Sequence, residues 1–96
     1  MTFWTDIRNA RNEALPNGLR YMSLRHALTL HAPLGFSDTW KMFEARFGLV
    51  AGGRNTGEAI LKAANLLAED RLAWLAYEKA RINFVRLRVK TGLPKP

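Results

Sequence analysis

The chain has 96 residues and a formal net charge of +7, a length that supports one hydrophobic core and not two, because folds of this size bury only roughly 60–65% of the unfolded surface. It contains no cysteine, which excludes disulfides, thiolate catalysis, zinc–cysteine sites and iron–sulfur ligation, and fits a reducing, cytoplasmic setting. Apolar residues make up 48% of the sequence, far from the composition of a disordered chain, yet no apolar run approaches the ~20 residues of a membrane helix and the N-terminus has no signal-peptide pattern.

Hydrophobic spacing predicts helices throughout. Phe3, Ile7, Ala10 and Ala14 share one face of a first helix, which Pro16-Asn17-Gly18 ends. Tyr21, Leu24, Ala27 and Leu28 define a second helix over about residues 19–31, closed by Pro33 and Gly35. Ser37 stands at the expected N-cap of a third, with Asp38 in its first turn, Trp40, Phe43 and Phe47 facing inward, and Gly48 as a left-handed terminator. Asn55 and Glu58 form a capping-box pattern that opens a long helix spanning 56–90. Leu61, Ala64, Ala68, Leu72, Leu75, Ile82, Val85 and Val89 make one stripe along it, with Ile60, Leu67, Trp74 and Phe84 beside them. A helix apolar over so much of its circumference is covered on more than one side, as a central element or against another copy of the chain in a homodimer. The expected architecture is all-α, a single domain of three short helices on one long C-terminal helix, with Trp40, Phe43, Phe47 and Trp74 in the core. The period-two run Val85-Arg86-Leu87-Arg88-Val89-Lys90 admits a strand as the rival reading.

The segment GLVAGGRN, residues 48–55, has the glycine spacing of a phosphate-binding loop. It places Arg54 where a lysine belongs and Asn55 where a magnesium-binding hydroxyl belongs, and it follows a helical pattern instead of a buried strand. A helix-to-helix connector explains it better, with a single backbone phosphate held by Arg54 and the following helix start as a lesser alternative.

Little points to catalysis. His26 and His31 are five residues apart, about 140° round a helix, and cannot clamp one metal. Ser23 and His26 share a face, but no carboxylate in the second helix orients the imidazole. No carboxylate pair suggests acid–base work, so neither an enzyme nor a metal or cofactor site is expected.

Charge is the clearer signal. From Lys79 onward there are six basic residues and no acid. Arg54, Lys79, Arg81, Arg86, Arg88 and Lys90 are the candidate nucleic-acid-binding residues, making phosphate contacts with DNA or RNA while Ile82, Val85 and Val89 face the core. The plain alternative is that these cations only keep a small apolar bundle in solution. A basic amphipathic helix on an anionic membrane and a helix-turn-helix over residues 24–47 fit less well, the first for lack of an exposed apolar face unless Phe84 and Leu87 point outward, and the second for its long linker. The other function class is a regulator or inhibitor that binds a larger acidic or nucleic-acid-handling protein, like the compact helical inhibitors that phages encode, with Tyr21, Phe36 or Tyr77 as anchors.

Overall fold

The structure is a computed structural model and describes residues 2–50 and 54–91, with side chains up to residue 87. Among the described residues four helices follow one another: α1 (Phe3–Arg11), α2 (Asn17–Leu30), α3 (Phe36–Phe47) and α4 (Gly57–Thr91). The expected all-α architecture of three short helices on a long C-terminal one is therefore observed, and the strand alternative for residues 85–90 is excluded because they continue α4.

Local chemistry sets the boundaries, in places differently from the sequence reading. Thr2 caps α1, its hydroxyl accepting from the Thr5 N–H at 3.2 Å. The helix stops at Arg11, short of Ala14, because the Asn12 carboxamide accepts from the Ala14 N–H at 3.0 Å and bends the chain into an Asx turn. Pro16 precedes α2, which begins at Asn17 with Gly18 inside its first turn. Ser37 does not cap α3: the helix starts one residue before it, after Gly35 at φ 86°, and the hydroxyl of buried Thr39 instead accepts from the Leu34 N–H. Gly48 ends α3 in the left-handed conformation, φ 73°, as its position predicts. Nor does Asn55 cap α4. Its carboxamide bonds both the N–H and the carbonyl of Val50, closing the glycine loop, and Thr56 caps the helix by accepting from the Ala59 N–H at 3.1 Å. Gly52 and Gly53 lie outside the described residues.

The core is small and lies at one end of the molecule. α1 contributes Phe3, Ile7 and Ala10; α2 Leu24, Ala27 and Leu28; α3 Trp40 and Phe43; and α4 Ile60, Ala63, Ala64, Leu67 and Ala68. Leu49, just after the Gly48 turn, is also buried. The alanines let α4 approach its neighbours closely. α1 and α2 pack most intimately, while α3 leans on α4 and only lightly on α2.

Arg20 ties three elements together from the interior. It is 3% exposed and donates from Nε to the Ala10 carbonyl at 2.8 Å, from Nη2 to the Gly57 carbonyl at 3.2 Å and from Nη1 to Asn17 Oδ1 at 3.4 Å. The Ala10 carbonyl lies in the last turn of α1, where a cation is favoured by the helix dipole. Gly57 leaves room for this side chain: a Cβ there would meet Arg20 Nη1 at 2.5 Å, so the guanidinium would have to shift.

Length then decides the shape. With a rise of 1.5 Å per residue, the 35 residues of α4 span about 52 Å, whereas α2, the longest of the others at 14 residues, spans about 21 Å. The short helices cover only the first part of α4, and from Arg71 to Leu87 no residue is buried. The molecule measures 57 × 25 × 18 Å with a radius of gyration of 17.0 Å, against about 12–13 Å for a compact chain of this length.

Candidate nucleic-acid interface

The projecting half of α4 carries the candidate cations. Lys79, Arg81 and Arg86 are exposed, and no acidic residue follows Glu78. Lys79 and Arg86 are seven residues apart and so share one side of the helix two turns apart. Neither forms an ion pair among the described residues. Arg81 differs: its Nη2 donates to Glu78 Oε2 at 2.9 Å, and that hydrogen bond and the carboxylate's charge raise the guanidinium above its ordinary pKa. Its charge is permanent and partly offset by the neighbouring carboxylate. The side chains of Arg88 and Lys90 lie outside the described residues, on a backbone that continues the same helix.

Arg54 does not join this group. It is exposed at the opposite end of α4, and Gly57 and Lys79 alone are separated by about 33 Å of helix. Beside it, Asn17 Nδ2 donates to the Asn55 carbonyl at 3.2 Å and the Thr56 hydroxyl accepts from the Ala59 N–H, so these groups fix the start of α4.

The inward stripe predicted for the distal helix is not inward. Ile82 is 44% exposed and Val85 37%, because among the described residues no other helix extends far enough to cover them. Trp74, expected in the core, is 44% exposed and stands at the point where α4 leaves the bundle. There the Arg71 guanidinium lies 4.7 Å from its ring centroid, and the His31 ring packs edge-on at 6.3 Å. These residues border an open groove of about 680 Å³, with Pro33, Asp70 and Tyr77 along its walls.

Two histidine–carboxylate pairs went unseen in the sequence. His26 Nδ1 bonds Asp6 Oδ2, a carboxylate with no exposure whose other oxygen has no partner among the described residues. His31 Nε2 bonds Asp70 Oδ2 at 2.7 Å. Helix α2 itself carries no orienting acid; the acids come from α1 and α4. The two pairs tie α2 to its neighbours. Oriented imidazoles are also a component of acid–base sites, but His26 lies on a shallow surface with Met22, Arg25 and Phe36. Among the described residues no group of three or more His, Asp or Glu is arranged to hold a metal ion.

Fold and surface together define a class: a small all-helical protein with a compact head and a projecting helix that is both basic and apolar. Compared with protein-family models, curated proteins and solved structures, the chain matches none of them. Among the described residues no helix is long and apolar enough to cross a membrane.

Proposed function

We propose that this protein is a non-catalytic nucleic-acid-binding protein that engages the phosphate backbone of DNA or RNA through the distal half of α4. The observation that carries the reading is the pair Lys79 and Arg86, exposed and without ion pairs among the described residues, on one side of a helix that stands clear of the bundle. Such a rail meets phosphates without steric interference from the head, and the net charge of +7 adds long-range attraction. Arg81 strengthens the field on a second side, and Arg88 and Lys90 extend it in sequence. Arg54 acts at most as a separate contact. Freedom from cysteine suits a cytoplasmic setting.

The test is fluorescence anisotropy with a labelled duplex and a labelled structured RNA at low salt. Arg86→Glu should weaken binding of both by about tenfold, as loss and reversal of a phosphate contact predict. Binding no tighter than that of an equally basic unrelated helical protein would defeat the proposal.

A second reading, a regulator that docks on a larger protein, is favoured by the exposed aromatic residues Trp74 and Tyr77, since aromatic anchors dominate protein interfaces. Under that reading Tyr77→Ala abolishes function, and Arg86→Glu has a minor effect.

A further inference from the structure

From Leu72 to Leu87 the large apolar residues of α4 fall in mirror order about the midpoint between Lys79 and Ala80. Trp74 and Val85 are equidistant from that point, as are Tyr77 and Ile82, and the outer pairs Leu72 with Leu87 and Leu75 with Phe84 follow the same rule. All of them are at least partly exposed. Glu78 and Arg81, of opposite charge, are mirror partners too.

Mirror order is what a two-fold antiparallel helix pair demands, because each residue i then meets j while j meets i on the other copy. We infer that two copies of this chain associate antiparallel along the distal half of α4, with the two-fold axis passing between Lys79 and Ala80.

The helical period selects the face. Trp74, Glu78, Arg81 and Val85 are spaced by four, three and four residues and form a single stripe, flanked on its two sides by Tyr77 and Ile82. Laid antiparallel, Trp74 of each copy packs on Val85 of the other, and the two Glu78–Arg81 pairs close into a ring of alternating charge at the centre. A parallel pair would instead set Glu78 against Glu78 and Arg81 against Arg81. It would also bring the two acid-free distal segments side by side, whereas the antiparallel pair sends them to opposite ends. The contact is modest: with aromatic side chains worth roughly 150–250 Å² each, the exposed apolar surface of Trp74, Tyr77, Ile82 and Val85 is on the order of 400 Å² per copy, the small end of specific interfaces and in keeping with a weak dimer. Trp74 and Tyr77 also line the groove beside His31 and Pro33, so the partner's Val85 end lies along that groove.

Lys79 and Arg86 sit roughly 110–130° round the helix from the stripe and stay outside the seam. Pairing therefore stands or falls separately from phosphate binding.

Sedimentation equilibrium of the full chain tests the inference, with a dimer expected in the micromolar range. Trp74→Glu and Val85→Glu should each raise the dissociation constant at least about tenfold, with helical circular dichroism retained. Leu72→Glu, on the far side of the helix, should change it much less. Because the native chain has no cysteine, cross-linking then reads the direction. Trp74→Cys mixed with Val85→Cys should form a disulfide, and Trp74→Cys alone should not, since the two copies of residue 74 would lie about 16 Å apart along the axis. A monomeric wild type, a dimer indifferent to both glutamates, or preferential Trp74→Cys self-cross-linking would each overturn the proposal.

Discussion

Arg20 is buried against the carbonyls of Ala10 and Gly57, so it acts as a joint between α1, α2 and α4. Arg20→Met removes both bonds from carbonyls at helix ends and should cost about 1–3 kcal/mol in urea unfolding. Gly57→Ala should also destabilise, because its Cβ collides with the guanidinium. The two effects should not add: once Arg20 is methionine, a flexible chain can yield and the penalty of alanine at 57 should shrink, a coupling that a double-mutant cycle measures. His26→Ala strips the buried Asp6 carboxylate of the bond it makes to His26 and should lower stability by about 1–3 kcal/mol. Neither joint was legible in the sequence. Spacing along a chain shows which residues share a face of one helix, but Asp6 reaches His26, and Asp70 reaches His31, only through the packing of different helices.

At the scale of elements the sequence was informative about kind and less so about edges. Period and punctuation sufficed for four helices, for Gly48 as a terminator and for Trp40 and Phe43 in the core. The cap of α3 lies two residues before Ser37 and the cap of α4 one residue after Asn55, because Ser37 and Asn55 are good caps by type while Gly35 and Thr56 occupy the capping positions. The larger miss was the distal half of α4. An apolar pattern states that a surface wants cover and is silent on whether the same molecule provides it, so the spacing points Trp74, Ile82 and Val85 inward although they are exposed. Since Ala68 is the last core residue on α4, a chain ending at Tyr77 should keep the head folded. Cooperative thermal unfolding followed by tryptophan fluorescence and circular dichroism checks this. A truncated chain that is molten or aggregates would mean that the distal helix supports the core.

The whole molecule is a head and a rod. Its 57 Å length and the concentration of cations on the rod set where a polyanion is held: along α4, away from the packed head. Arg54 at the head end contributes to the overall field and not to the rail, so Arg54→Ala should weaken duplex binding no more than about twofold. The most direct measurement is the salt dependence of duplex affinity for the native chain and for Lys79→Ala/Arg86→Ala. Removing two phosphate contacts should lower the slope of log K against log salt by about two units, with circular dichroism unchanged. An unaltered slope in the double variant, at any affinity, would contradict the assignment of this helix as the phosphate-binding surface.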